Sequence, residues 1–187
     1  LERTREHWLL KLAGRKQALV LGDGDGRFLA KLLAQEPALT ATAVDISASM
    51  LGLLNDRCAF AADRLHTVQA SALSVDPPPA TDLIVTHFFL DCLTQAELDT
   101  MATRFATATQ PGTLWLVSDF DLPPSHLLRP LAALYIRALY LAFRCLTGLR
   151  VTHLPAVKKA LTASGFERIA RQEKLHGLLY TEIWMRR

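Results

Sequence analysis

Cysteine is scarce in this chain. Only Cys58, Cys92 and Cys145 occur in 187 residues, with no C-x-x-C pair and no His beside them at ligand spacing. That excludes a disulfide framework, offers no metal site and suits a reducing compartment. Charge of one sign is also missing. The net charge of +3 is carried by dispersed Lys and Arg, so a nucleic-acid partner, which wants a clustered basic face, is not expected. No uninterrupted apolar run has the length of a transmembrane segment. The greasiest stretch, residues 125–146, is broken by Arg129, Arg137 and Arg144. No secretory signal, internal repeat or low-complexity linker is visible, and a cytoplasmic location is expected. What remains is a chain that is 50% hydrophobic, enough for one domain, residues 1–187, with a substantial core.

The most informative stretch is residues 18–34, ALVLGDGDGRFLAKLLA. Leu19, Val20 and Leu21 form the short apolar run of a strand buried on both faces. Gly22 to Gly26 make a tight loop in which Gly admits positive φ and close backbone approach. Phe28, Leu29, Leu32 and Leu33 then fall at helical spacing, and Pro37 marks the helix end. A strand, a glycine loop and a helix in this order make a nucleotide-type crevice at the carboxyl end of a parallel strand.

Around this unit the apolar period switches repeatedly between 3.6 and two. Residues 2–12, with Trp8, Leu9 and Leu12 on one face, predict a helix stopped by Gly14. Residues 39–46 predict a second strand ending in Asp45. Ser47 is placed to cap a helix with a buried stripe of Met50, Leu51, Leu54, Cys58 and Ala61. Residues 66–70 predict a third strand, and Pro77, Pro78 and Pro79 a stiff loop. Residues 82–87 predict a fourth strand running on into Phe88, Phe89 and Leu90. Thr94 and Glu97 have the spacing of a capping box. Residues 113–119 predict a fifth strand. Residues 125–146 predict a long helix and residues 155–164 a shorter one. Residues 166–174 and 178–187 predict two strands joined through His176-Gly177 as a hairpin. The order predicts an α/β fold: a Rossmann-like, doubly wound, mostly parallel sheet of seven strands. A C-terminal antiparallel β-hairpin and a helical insertion after the fifth strand, at about 121–150, complete it.

The glycine loop restricts the ligand. A dinucleotide site wants G-x-G-x-x-G, but the third Gly position is Arg27 and the pattern is G-x-G-x-G. Asp23 and Asp25 lie where a diphosphate would sit, and like charge opposes it. A cationic ligand is favoured, such as S-adenosylmethionine, which carries an adenosine, a sulfonium and an ammonium but no phosphate. Asp45 follows about 20 residues on, where a carboxylate can accept both ribose hydroxyls. That role serves NAD and S-adenosylmethionine alike.

VLGDGDG, AVDISASML, TDLIVTHFFLDCL and PGTLWLVSDF, in this order and with the terminal hairpin, resemble the class I S-adenosylmethionine-dependent methyltransferases over most of the chain. AVDISASML looks particularly like the D-I-S-x-x-M-L of small-molecule and quinone-type methyltransferases. The resemblance implies S-adenosylmethionine as cofactor, S-adenosylhomocysteine as product and a small-molecule methyl acceptor. It implies cofactor contacts from Gly22, Asp23, Gly24 and Gly26 in the loop, and from Asp45, Ile46, Ser47 and Met50 after the second strand. Ser71 and Ala72 follow the third strand, and Thr86 and His87 close the fourth. Two positions depart from the family's pattern. Val20 stands where an acidic residue is usual, and Ser71 where one near the adenine amino group is common. Asp23 is then the candidate for the cofactor's amino group.

His87 and Asp91 are the candidate catalytic residues. A neutral imidazole at the carboxyl edge of the sheet can take a proton from a hydroxyl, and Asp91 lies just beyond. Their structural alternatives are a hydrogen-bonded His and a helix-start carboxylate. A strong base is not required, because the sulfonium is already activated and in-line placement supplies much of the rate. Phe88, His126 and Tyr135 are candidate acceptor contacts. The inserted helix is readable as a lid over an apolar or aromatic acceptor, as a helix in peripheral contact with an anionic membrane, or as a core helix with a solvated Arg stripe. No [DN]-P-P-[YF] sequence and no Pro-Cys pair occur, so O- or C-methylation is expected over N-methylation of a base. The rival readings are an inactive binding or scaffold protein on the same fold, and an NAD(P)-dependent oxidoreductase. The oxidoreductase is disfavoured by Arg27, the loop carboxylates and the hairpin.

Overall fold

The computed structural model describes residues 1–123, 130, 133–134 and 153–187. Among these, α1 (Glu2–Arg5) and a 3₁₀ turn (Leu9–Leu12) precede β1 (Gln17–Leu21) and α2 (Arg27–Gln35). Then come β2 (Thr40–Asp45), α3 (Ala48–Arg57), β3 (Leu65–Gln69), β4 (Leu83–His87), α4 (Gln95–Ala108) and β5 (Leu114–Phe120). α5 (Val157–Ala163), β6 (Phe166–Lys174) and β7 (Leu179–Arg186) follow. The strands form one seven-stranded sheet in the order β3-β2-β1-β4-β5-β7-β6. β1 to β5 pair in parallel, and β7 runs antiparallel to both β5 and β6. This is the mostly parallel, doubly wound α/β fold with an antiparallel C-terminal hairpin that the sequence pattern predicts.

The apolar runs of β1, β4 and β5 follow from burial on both faces. Leu19, Leu21, Ile84, Trp115 and Val117 alternate onto the face covered by α4 and α5, with Phe105 and Phe166 against Trp115. Ala18, Val20, Leu83, Val85 and Leu116 face the other way, onto Phe28, Leu29, Leu32 and Leu33 of α2 and Leu54 of α3. Each fully buried leucine contributes roughly 2 kcal/mol of transfer free energy. Helix α4 starts as its sequence requires: Thr94 accepts from the Glu97 N–H, and the Glu97 side chain accepts from the Thr94 N–H at 2.8 Å.

Three local expectations are corrected. Residues 2–12 are not one helix but one α-helical turn and a separate 3₁₀ turn. A four-residue helix cannot sustain itself; it is pinned by tertiary contacts, Lys31 to Glu2 and Glu6, and the Lys174 ammonium to the Arg3 carbonyl. β4 stops at His87 because Phe88 takes φ +53°, which ends the extended backbone. In α3 the buried residues are Leu51 and Leu54, followed by buried Cys58 at the C-cap, while Met50 lies one position off this stripe and is exposed. The predicted helix over 125–146, its Arg stripe, and the candidate contacts His126 and Tyr135 lie outside the described residues.

Candidate functional site

The strand order reverses between β1 and β4: the chain leaves β1 towards β2 and β3, then returns to β4 on the other side. In such a sheet the crevice for a ligand lies beyond the carboxyl ends at that switch. The glycine loop occupies it. The Gly22 N–H donates to the Val44 carbonyl at 3.0 Å, fastening the loop to the end of β2. Gly22, Gly24 and Gly26 have φ of +65°, +64° and +77°. Their surroundings differ. A Cβ on Gly26 would meet Leu54 at 2.8 Å, so this glycine lets α2 and α3 pack. A Cβ on Gly22 would meet the Phe89 ring at 3.0 Å. A Cβ on Gly24 would meet nothing within 4 Å. Gly24 is therefore the position where the backbone borders open space.

The loop carboxylates are not a bare negative field. Asp25 Oδ2 accepts from Arg27 Nε and from an Arg57 Nη, each at 2.9 Å, and the Asp25 carbonyl accepts from Arg57 Nε. Asp23 is 3% exposed and turns inward, where its Oδ2 accepts from the Leu29 N–H at 3.0 Å in the first turn of α2. Its Oδ1 has the Arg5 guanidinium at 3.7 Å and no hydrogen-bond partner. Burial pushes the Asp23 carboxyl up to about 6, against the N–H bonds and Arg5, which pull it down. Asp25 is thus hydrogen-bonded to two arginines, whereas Asp23 has Arg5 near it without a hydrogen bond.

Asp45 ends β2 one strand over, its Oδ1 accepting from the Ser47 N–H at 2.8 Å. Ser47 caps α3, accepting from the Met50 N–H. Ile46 is 73% exposed, and with Met50 it leaves an apolar surface beside Asp45. Across β2 from β1, Ser71 caps a 3₁₀ turn and Ala72 is buried in the core. Asp45, Ile46, Ser47, Ser71 and the loop therefore share one sheet edge. Thr86 does not turn a side chain to it. Its Oγ accepts from the Trp115 indole N–H at 3.0 Å in the interior.

His87 is 1% exposed, packed edge-on against Phe28 at 4.4 Å between ring centroids, with neither ring nitrogen hydrogen-bonded. Burial, then the nearby Arg5 charge, holds it well below the ordinary imidazole value, so it is neutral at pH 7. Asp91 follows β4 in a 3₁₀ turn, and its N–H donates to Asp119 Oδ2 at 3.0 Å. Burial pushes the Asp91 carboxyl up, and burial and then the Asp91 charge push Asp119 well up. Phe88 lies between the Phe120 ring at 5.2 Å and the Arg5 guanidinium at 5.4 Å. Phe120 joins Leu122, Leu154 and Leu178 in a half-buried apolar group near the carboxyl end of β5.

Arg5, Phe89 and Asp119 belong to this edge and were not singled out from the sequence. Asp119 has a signal, being the last polar residue of the fifth predicted strand. Arg5 has none, since its partners lie 18 or more residues away. The residues fit an adenosine-bearing cofactor: an open Gly24, a carboxylate at the end of β2 and unpartnered buried polar atoms at Asp23 and His87. Among the described residues no group of three or more His, Cys, Asp or Glu could hold a metal ion, and no helix is long and apolar enough to cross a membrane.

A family model described as a methyltransferase domain matches residues 19–114, about half of the chain. A search of curated proteins finds no match. Among solved structures the chain is similar to the mitomycin 7-O-methyltransferase MmcR, with a TM-score of 0.74 and 18% identity over 100% of this chain and 54% of that one. It is similar to the N-methyltransferase NodS of Bradyrhizobium japonicum in complex with S-adenosyl-l-homocysteine, with a TM-score of 0.71 and 17% identity over 99% and 87%. It is also similar to a putative O-methyltransferase of Nostoc punctiforme, with a TM-score of 0.74 and 19% identity over 97% and 55%. The chain spans about half the length of the first and third. At these identities the likeness is one of fold.

Proposed function

The chain belongs to the class I S-adenosylmethionine-dependent methyltransferases, and from that premise we propose that it moves a methyl group from S-adenosylmethionine to a small, apolar or aromatic acceptor by O- or C-methylation. The observation that carries this reading is the loop at the switch point: three left-handed glycines in five residues, Gly24 bordering open space, with Asp45 at the end of the neighbouring strand. Such a backbone lets a ligand come close, and the carboxylate is placed for a ribose diol. Ile46 and Met50 supply an apolar wall for the adenine, next to Ser47, Ser71 and Ala72. The backbone of Thr86 and His87 closes the floor.

The cofactor, when bound, supplies a methyl group on an already activated sulfonium. The chain supplies placement and a path for one proton. Phe88 and the group of Phe120, Leu122, Leu154 and Leu178 give an apolar acceptor surface at the ends of β4 and β5. Neutral His87 and the raised carboxyl of Asp91 are the candidate proton acceptors for a hydroxyl substrate. Residues 1–187 act as one domain, with the stretch at about 121–150, including His126 and Tyr135, as an acceptor lid. The reading places it in the cytoplasm. The likeness to the mitomycin 7-O-methyltransferase MmcR and the N-methyltransferase NodS supports small-molecule methyl transfer.

Calorimetry with S-adenosylhomocysteine tests the site. Asp45→Ala should weaken binding by about 1.5–3 kcal/mol, the worth of a hydrogen bond to a charged group. Unchanged affinity would mean that the ribose is held elsewhere.

A further inference from the structure

We propose that Asp91 and Asp119 share one proton, and that Asp119, holding it, is a positioning residue that keeps Asp91 as the carboxylate that takes the acceptor's hydroxyl proton. This rests on the methyltransferase reading above and deepens it: a second carboxyl joins the site, and the acceptor atom is a hydroxyl oxygen.

The two carboxyls meet where β4 and β5 end. The Phe88 N–H donates to the Ser118 carbonyl at 2.7 Å, and the 3₁₀ turn Leu90–Cys92 then lies against β5. There the Asp91 N–H donates to Asp119 Oδ2 at 3.0 Å, and the Phe120 N–H donates to Asp119 Oδ1 at 2.9 Å. The two side chains are also hydrogen-bonded to each other. An ionised carboxylate only accepts, so one member of such a pair must carry a proton and donate it. Asp119 is the donor. It is 1% exposed, and the bond between the side chains favours the proton on Asp119 and the charge on Asp91. The Asp91 charge also receives the Cys92 thiol at 3.5 Å on Oδ1.

The surroundings keep that proton in place. Asp91 and Cys92 face Asp119 from the 3₁₀ turn, and Tyr180 lies directly across from it on β7. The Tyr180 phenol, itself pushed well up by burial, feels Asp119, Glu182 and Asp121, and the Arg171 guanidinium lies over its ring at 4.8 Å. Two carboxylates sharing a buried site do not both ionise, so the pair titrates as a unit with one proton held firmly. The pair borders the apolar acceptor surface. Phe120 directly follows Asp119, and its ring lies 5.2 Å from that of Phe88. When an acceptor hydroxyl is methylated, its oxygen bonds the methyl carbon, the carbon–sulfur electron pair stays on sulfur, and the O–H proton passes to Asp91. The pair then carries two protons and no charge as the sulfonium charge is lost, and the extra proton leaves to solvent before the next turnover. His87 has no such partner and packs against Phe28 on the other face of the sheet.

Infrared titration of the whole chain in D₂O tests the shared proton through the C=O stretch of a protonated carboxyl. Asp23, pushed up to about 6, is ionised by about pH 8, so a band that remains there reports the pair. Wild type should keep the band at that pH, and Asp119→Asn should lose it. Asp91→Asn should keep it but release it at lower pH, because the neighbouring charge is gone. Phenol, added with S-adenosylhomocysteine bound, should shift the wild-type band as its hydroxyl meets Asp91. Circular dichroism checks folding, and if Asp119→Asn does not fold, the wild-type and Asp91→Asn titrations decide. No band in wild type, the same band in Asp119→Asn, an unchanged release in Asp91→Asn, or a band that phenol leaves unmoved would overturn the inference and leave the methyltransferase reading standing. Failure of the wild-type chain to bind S-adenosylhomocysteine by calorimetry would overturn that reading, and with it the role of the pair, whatever the titration shows.

Discussion

Replacing Asp23 with Asn should make the ligand-free protein more stable while weakening its cofactor site. The carboxyl is 3% exposed, and burial lifts it from 3.8 to about 6 despite the Leu29 N–H and Arg5. A raised folded value means that the folded state holds its proton longer than the unfolded chain. Stability from this group is therefore present at low pH and lost as pH rises between those two values. At about 1.4 kcal/mol per pH unit, the folded state forfeits roughly 1.6 kcal/mol at pH 5 and about 3 kcal/mol from pH 8 upward. Asn keeps an oxygen for the Leu29 N–H and carries no charge to bury. Urea denaturation of both forms at pH 5, 6, 7 and 8 measures the gap. The variant should lead throughout, and its lead should widen by about 1.4 kcal/mol across the range. A variant less stable than wild type at pH 8, or a gap that ignores pH, would refute the reasoning.

Gly24→Ala and Gly26→Ala should separate function from folding. Gly26→Ala collides with Leu54 at 2.8 Å in a left-handed backbone and should cost about 2–4 kcal/mol of stability by denaturation. Gly24→Ala meets nothing within 4 Å. It should cost only about 1 kcal/mol yet lose S-adenosylhomocysteine binding about tenfold or more by calorimetry. Thr86→Val strands the Trp115 indole N–H. It should destabilise by about 1–3 kcal/mol without changing cofactor affinity, because that side chain faces the core.

What was legible in the sequence was whatever depends on near neighbours. Leu19 to Leu21 announce a strand buried on both faces. Thr94 and Glu97 announce the start of α4 four residues before its first buried side chain, and Gly22, Gly24 and Gly26 announce the loop. What stayed hidden depends on distant partners. Asp25 looks like a free charge until Arg57, 32 residues on, is folded against it. Residues 2–12 keep a helical period, yet the turn at Glu2–Arg5 is held by Asp23, Lys31 and Lys174 from elsewhere. Phe88 continues an apolar run, but its φ of +53° turns the chain away from the sheet, and no residue pattern encodes that. Asp91 was visible as an isolated acid, whereas its pairing with Asp119 follows from the parallel register of β4 and β5.

The central claim is that the glycine loop holds an adenosyl cofactor without phosphate. Thermal unfolding of the chain with S-adenosylhomocysteine, and separately with NADH, tests it most directly. At a hundredfold excess over its dissociation constant, S-adenosylhomocysteine should stabilise the folded state by about 2.7 kcal/mol, and NADH should leave the transition unmoved. A transition raised by NADH and indifferent to S-adenosylhomocysteine would contradict the account.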